Sequence, residues 1–334
     1  MSFFAFIFSF FIGDANVNGY PFSLLLFVFA LLTIKTIHLE KRDLINFGLL
    51  FTFLILNMYK GFDLRYVTWP VNAFLLSIII RAIDIKAFSL TIVFYFVIVW
   101  FLLNFINSDF GANRFDFVFG PNVQYRIFTV LFILFIINRS FELNLKTTGA
   151  LFVSVLGGVL TGSRGFIPLL MISNIKLIKD NSAFRKVVTV ISFFSVVLAF
   201  VYLDEIISSV MNSRLFYFSL ENSSLAIRVD LLVKFFTDPL SLISPLGISE
   251  VERMSIFIEG FPYPHNFILE IFIYYGFYGA FIFIIFLLNN LPKWDSEYTP
   301  FLIAACTWSL FSGDFGDNYV IFSLLVAART SRGS

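Results

Sequence analysis

The chain alternates between long apolar blocks and short polar segments. Most blocks approach the length of a membrane-crossing helix, about 20 residues, and they lack the period-two alternation of a β-barrel. Because backbone inside a membrane must satisfy its own hydrogen bonds, each block predicts a helix. The pattern predicts an all-α, polytopic integral membrane protein with about twelve transmembrane helices. The predicted spans are residues 2–12, 21–38, 44–58, 67–81, 87–107, 122–138, 147–161, 165–179, 187–203, 265–289, 299–312 and 317–329.

The longest polar interruption covers residues 204–264 and predicts one large periplasmic loop within a single integral membrane domain, 1–334. Within this loop, Leu225–Phe236 has the spacing of an amphipathic helix that could lie flat on the membrane surface. The first block, residues 2–12, lacks a basic n-region and a small-residue cleavage site, so we expect a short first helix there instead of a signal peptide.

The composition supports a membrane protein and excludes several other classes. Hydrophobic residues make up 59% of the chain and charged residues 13%, whereas charged residues are about 25% of a soluble domain. The net charge of +1 gives no global field for nucleic acid. The single cysteine, Cys306, allows no disulfide within one chain.

Basic residues predict the orientation of the spans. With both termini in the cytoplasm, the cytoplasmic segments contain most of them, namely Lys35, Lys41, Arg42, Arg81, Lys86, Arg139, Lys146, Lys176, Lys179, Arg185, Lys186, Lys293, Arg329 and Arg332. The short outer segments contain only Lys60, Arg65, Arg114, Arg126 and Arg164. This bias places the 204–264 loop on the outer face of the membrane.

Two arginines are candidates for binding an anionic substrate. Arg164 lies in a glycine-containing turn between two predicted spans, and Arg228 lies in the amphipathic segment of the long loop. A guanidinium group suits phosphate or pyrophosphate oxygens. The alternatives are a snorkelling arginine that anchors the turn and a solvated charge on a surface helix.

One of two histidines in the chain, His265, follows Pro262-Tyr263-Pro264 at the start of a predicted span. A histidine is a candidate general base because its ordinary pKa is near neutral pH. The alternative is an interfacial histidine that anchors the helix start. Its neighbour Asn266 is a candidate substrate ligand and, alternatively, an N-cap.

Four further residues are candidates for substrate binding: Arg114, Asn122, Ser163 and Arg214. For Arg114 and Asn122 the alternative is a turn followed by a helix start. The chain has no His-x-x-x-His pair, no acidic pair at metal-binding spacing and no P-loop, so we expect no metal and no cofactor.

Three segments, taken in order, resemble the O-antigen polymerase and O-antigen ligase superfamily of bacterial envelope glycan enzymes. They are the Thr161-Gly162-Ser163-Arg164-Gly165 turn, the loop motifs Ala226-Ile227-Arg228 and Leu246-Gly247, and Pro264-His265-Asn266 followed by Gly276 and Gly279. The segment at residues 111–122 is also similar to the loop before the family's mid-chain spans.

The resemblance implies a fold like that of O-antigen ligase and GT-C glycosyltransferases, in the bacterial inner membrane, with an active site facing the periplasm. The implied substrates are polyprenyl-pyrophosphate-linked glycans as donor and acceptor, joined without a metal. Arg164 and Arg228 would bind pyrophosphate, and His265 would position or deprotonate the acceptor hydroxyl. Membrane lipids are expected partners, a chain-length regulator is a further candidate partner, and no nucleic acid is expected.

Polymerisation of repeat units of a surface polysaccharide, O-antigen or capsule, is the function we expect. One alternative is an O-antigen ligase, which transfers polymer to the lipid A core of lipopolysaccharide. Another is a transporter of lipid-linked glycans, which should have charged residues along a central path, whereas here they cluster at the ends of the spans.

Overall fold

The computed structural model describes residues 39–62, 64–107, 121–142, 144–161, 244–249, 251–252, 266–310 and 318–330, with residues 7, 27, 28, 30, 32, 166, 233 and 237 in isolation. These residues form helices and contain no β-strand. The helices are α1 (Lys41–Tyr59), α2 (Leu64–Ala82), α3 (Leu90–Asn107), α4 (Pro121–Ile137), α5 (Leu145–Leu160), α6 (Phe267–Asn289), α7 (Thr299–Ser309) and α8 (Val320–Thr330). A 3₁₀ turn, Ile85–Ala87, precedes α3.

Two of these helices, α3 and α6, are long and apolar enough to cross a membrane. Shorter apolar helices cover residues 66–82, 123–137, 145–160 and 320–329. The predicted all-helical class is confirmed for the described residues. The predicted total of about twelve spans stays a prediction, because residues 165–179, 187–203 and most of 2–38 lie outside the described part of the chain.

The chain divides into two compact units. Unit 1 comprises residues 1–84 and 224–334, and unit 2 comprises residues 85–223. The single domain predicted for residues 1–334 stays a prediction.

In unit 1, α2 packs between α1 and α8, while α6 packs on α1 and α7 on α8. The start of α1 meets the end of α2, so these two helices are antiparallel. There the Arg81 guanidinium forms a buried ion pair with Asp43, with Nη1 3.1 Å from Oδ1. Asn46 exchanges amide hydrogen bonds with Asn290, at 2.9 and 2.7 Å. We call this region the basic end of unit 1.

Contacts at the basic end bring together residues that the sequence assigns to the cytoplasm. The Arg329 guanidinium lies 2.6 Å from the Glu40 carboxylate, just before Lys41. The backbone N–H of Lys293 donates to the Ala328 carbonyl at 3.2 Å. Five of the basic residues predicted to be cytoplasmic therefore share one end of unit 1: Lys41, Arg42, Arg81, Lys293 and Arg329.

Unit 2 contains α3, α4 and α5, which pack together. Residues 123–136 of α4 are buried on every face, as expected for a central helix. The side-chain amide of Asn138 donates to the Phe88 carbonyl at 2.6 Å, which ties the end of α4 to the start of α3. A Cβ on Gly157 would lie 2.4 Å from the Phe128 ring, so α5 packs closely against α4 at this glycine.

Candidate functional site: a bent helix clamped by the long loop

Helix α6 bends sharply at Gly276, whose φ of 63° and ψ of −160° are non-helical. The bend separates an N-terminal arm, 267–275, from a C-terminal arm, 277–289. The ring centroids of Phe267 and Phe283 are 5.5 Å apart, whereas a straight helix would separate these positions by about 24 Å. The two arms therefore form a V. The span predicted at 265–289 corresponds to α6, and the structure adds a bend at Gly276.

The bend frees backbone groups that a straight helix would pair internally, and a loop segment binds them. The Ile248 N–H donates to the Ile273 carbonyl at 3.0 Å, and the Tyr278 N–H donates to the Pro245 carbonyl at 3.1 Å. An unpaired peptide group in apolar surroundings costs several kcal/mol, on the order of 2–7. Residues 244–249 therefore stabilise the bend, and we call this segment the clamp.

The clamp is itself a tight turn. The Ser244 hydroxyl donates to the Gly247 carbonyl at 2.8 Å, and Gly247 adopts a φ of 77°. A Cβ on Gly247 would lie 2.1 Å from the Tyr274 carbonyl oxygen. Glycine is required here for two reasons, the left-handed backbone and the close approach of another backbone.

Lys60 connects the clamp to the bend from a third segment. Its amine, just beyond the end of α1, donates to the carbonyls of Leu246 and Tyr274. The ammonium lies 5.5 Å from the Tyr275 ring centroid and 5.9 Å from that of Phe62, which adds cation–π attraction. Burial lowers the pKa of Lys60 from 10.5 to about 8, although the charge of Glu252 opposes that shift.

Glu252 closes the clamp on its C-terminal side. Its carboxylate accepts from the backbone N–H of Ser249 at 2.6 Å and from the Ser249 hydroxyl at 2.9 Å. These hydrogen bonds lower the pKa of Glu252, and the positive charge of Lys60 lowers it further. The Glu252 carboxylate and the Lys60 ammonium group therefore both lie next to the clamp, close enough for their charges to attract each other.

Aromatic side chains surround the bend. The Trp69 indole N–H donates to the Tyr275 hydroxyl at 3.0 Å, and both residues are fully buried. Phe53 packs edge-on against Tyr275, with centroids 5.0 Å apart. Phe267, the first residue of α6, contacts Phe322 of α8 at 5.8 Å. The first arm therefore begins among core side chains of unit 1.

Asn266 is the N-cap of α6. Its side-chain oxygen accepts from the N–H groups of Ile268 and Leu269, at 3.0 and 3.1 Å. The N-cap interpretation from the sequence is confirmed, and the substrate-binding role of Asn266 stays a prediction. One turn further on, Glu270 is 0% exposed. This carboxylate was not among the predicted site residues, although a single acidic residue inside an apolar run is itself a signal of function.

The side chains of the other predicted site residues lie outside the described part of the chain. His265, Arg164 and Arg228 lie outside the described residues, as do Arg114, Ser163 and Arg214. Asn122 is the second residue of α4. A common site for the three predicted catalytic residues stays a prediction.

Unit 2 contains buried polar residues of its own near the start of α4. The Trp100 indole N–H donates to the Gln124 side-chain oxygen at 2.9 Å, and Arg126 is only 1% exposed. Arg126 was assigned from the sequence to the outer segments. In the structure it lies inside α4, which makes it a second functional candidate that sequence reasoning missed.

Among the described residues, no group of three or more His, Cys, Asp or Glu side chains could hold a metal ion. In comparisons with protein-family models, curated proteins and solved structures, no match to this chain was found. The relation to O-antigen polymerases and ligases therefore rests on the motifs alone.

Proposed function

We propose that this chain is a multi-pass protein of the bacterial inner membrane that polymerises polyprenyl-pyrophosphate-linked oligosaccharide repeat units. The single observation that carries the proposal is the clamp. Hydrogen bonds join these loop residues, 244–249, to helix α6, whose N-cap Asn266 directly follows His265. The loop that contains Arg228 and the helix that follows the candidate base are therefore held together by backbone hydrogen bonds.

The arrangement of basic residues supports the proposed orientation. Residues of α1, α2, α8 and the segment before α7 that the sequence assigns to the cytoplasm meet at the basic end of unit 1. Lys60 and the clamp lie at the other end of α1. Under the positive-inside rule the clamp then faces the periplasm, where lipid-linked repeat units would arrive.

The proposed chemistry is a metal-independent transfer of a glycan from polyprenyl pyrophosphate to a sugar hydroxyl. The acceptor sugar hydroxyl attacks the anomeric carbon of the donor glycan, and the bond from that carbon to the pyrophosphate oxygen breaks. His265 takes the hydroxyl proton, and such general-base help contributes about 10²–10⁴-fold in rate. Arg164 and Arg228 stabilise the charge that develops on the departing polyprenyl pyrophosphate.

Purified protein in lipid vesicles, supplied with one defined lipid-linked repeat unit, tests the proposal. We expect polymer ladders from the wild-type protein and none from His265→Ala, Arg164→Ala or Arg228→Ala. Lys293→Ala is the matched control, because this exposed lysine lies at the basic end and should leave the ladders unchanged.

Other outcomes would contradict the proposal in different ways. Full ladders from His265→Ala would remove the base assignment. Transfer of polymer to added lipid A core, with no joining of repeat units, would indicate a ligase. Movement of intact repeat units across the vesicle membrane without any new glycosidic bond would indicate a transporter.

A further inference from the structure

A groove of about 520 Å³ runs along the surface of unit 2 between α3 and α5. Its walls are almost entirely apolar, from Phe94 and Ile98 on α3 and from Leu145, Gly149 and Val153 on α5. These walls are partly exposed, and Leu145 is 92% exposed. The groove has the volume of a small-molecule site, which is about 300–1,000 Å³, and its lining suits a hydrocarbon chain.

A cation stands at one end of this groove. Lys146, the second residue of α5, lies with its ammonium 5.7 Å from the Phe94 ring centroid. The N-terminus of α5 adds the positive end of a helix dipole at the same place. The Arg139 N–H donates to the Lys86 carbonyl at 3.1 Å, so the backbones of two more basic residues meet at the end of unit 2 where α3 starts and α4 ends.

We propose that this groove binds an anionic phospholipid, with one acyl chain between α3 and α5 and the phosphate on Lys146. An apolar channel alone would accept any lipid. The charge of Lys146 at the end of the groove gives a preference for anionic lipid. An ammonium group near hydrocarbon attracts a headgroup with net negative charge more strongly than it attracts a zwitterionic headgroup. The described residues at this end include Lys86, Arg139 and Lys146, together with the carboxylates of Glu142 and of Asp84, which lies two residues before Lys86.

The location suits such a lipid. Lys86, Arg139 and Lys146 all belong to the segments that the positive-inside rule assigns to the cytoplasmic side. Basic pockets between membrane helices on this side bind anionic headgroups in general. The lipid site requires the chain to lie in a membrane, but it does not require glycosyl transfer, so either proposal can fail without the other.

Two variants separate the contribution of charge from that of the groove. Lys146→Gln removes the cation at an exposed position and leaves the groove open. Gly149→Leu fills the groove, because a Cβ at Gly149 meets no atom within 4 Å. Gly48→Leu is the matched control for the second variant, since Gly48 is also a helical glycine with open space around it.

Native mass spectrometry of the full chain in detergent, titrated with phosphatidylglycerol and with phosphatidylcholine, measures the binding. We expect the wild-type protein to bind phosphatidylglycerol about tenfold more tightly. Lys146→Gln should remove that preference, and Gly149→Leu should weaken binding of both lipids about tenfold. Gly48→Leu should match the wild type, as should Lys293→Gln, which removes an exposed lysine from unit 1.

Three results would overturn the proposal. They are equal affinity of the wild-type protein for the two lipids, a preference that survives Lys146→Gln, and wild-type affinity in Gly149→Leu. Circular dichroism and gel filtration check that each variant is folded. The exposed position of Lys146 keeps the charge test independent of folding.

Discussion

Gly247 and Gly276 are packed backbone to backbone, and neither position has room for a side chain. A Cβ on Gly276 would lie 2.5 Å from the Gly247 nitrogen and 2.1 Å from the Ser244 carbonyl oxygen. Both residues also have positive φ angles, of 77° and 63°. The bend in α6 and the clamp therefore depend on each other.

Gly276→Ala should destabilise the protein by about 3 kcal/mol, because it adds left-handed backbone strain to a clash with main-chain atoms. Thermal unfolding in detergent measures the change. Gly48→Ala is the control, since the same substitution at an exposed, open helical site should stabilise the protein by about 1 kcal/mol. Equal melting temperatures for Gly276→Ala and the wild type would mean that the bend is absent.

Lys60 should make stability depend on pH in alkaline solution. Its pKa is about 8 in the folded protein and ordinarily 10.5, so between these values the unfolded chain binds more protons. The contribution of Lys60 to the free energy of unfolding should therefore increase as the pH rises from about 8 to about 10.5. The neutral amine keeps two N–H groups, enough for the carbonyls of Leu246 and Tyr274.

Melting temperatures measured across that pH range for wild-type protein and Lys60→Met isolate the effect. The wild-type curve should rise relative to the variant curve, and the exposed Lys293→Met should follow the wild type. Parallel curves for wild type and Lys60→Met would show that the amine of Lys60 is not buried in the folded protein.

Asp43→Asn should destabilise the protein by about 3 kcal/mol, because it leaves the Arg81 guanidinium buried without its counter-charge. Asp295→Asn removes an exposed carboxylate from the same unit and should change stability by less than about 0.5 kcal/mol. Unfolding of Asp43→Leu, of Arg81→Met and of the double variant Asp43→Leu/Arg81→Met provides the cycle. Recovery of most of the lost stability would support the ion pair as the cause, and additive losses would argue against it.

Substitutions of Asn266 can separate capping from substrate binding. Serine is also a good N-cap, whereas alanine at this position should cost about 1 kcal/mol. If the Asn266 amide also binds substrate, Asn266→Ser should keep its melting temperature and lose polymer ladders in the vesicle assay. A stable Asn266→Ser protein with wild-type ladders would limit Asn266 to its capping hydrogen bonds with Ile268 and Leu269.

The apolar blocks predicted most of the helices that the structure describes, because burial of a continuous hydrophobic run fixes both the length and the type of the element. Residues 44–58 and 67–81 correspond to α1 and α2, for example. Arg81 and Arg329, which the sequence assigns to the same side of a membrane, also lie at one end of unit 1. The side that this end faces stays a prediction.

The bend in α6 could not be predicted from apolar blocks or from basic residues. Residues 267–289 contain no proline and only one charged residue, and the two glycines in this run, Gly276 and Gly279, are compatible with a straight helix. The partner of Gly276 is in the long loop, far away in sequence, and no local pattern identifies it. The contact of Lys60 with these two segments could not be predicted either, because the Tyr274 carbonyl becomes available only through the bend.

The clamp is held mainly by peptide groups. Main-chain donors and acceptors are the same for nearly every amino acid. Substitutions of Pro245, Leu246 and Ile248 during evolution can therefore keep the hydrogen bonds between the clamp and α6. Gly247 and Gly276 cannot be substituted in this way, because a Cβ at either position would clash with backbone atoms. Distant homologues of this protein should therefore be recognisable by a pair of glycines at corresponding positions, even after overall sequence identity has faded.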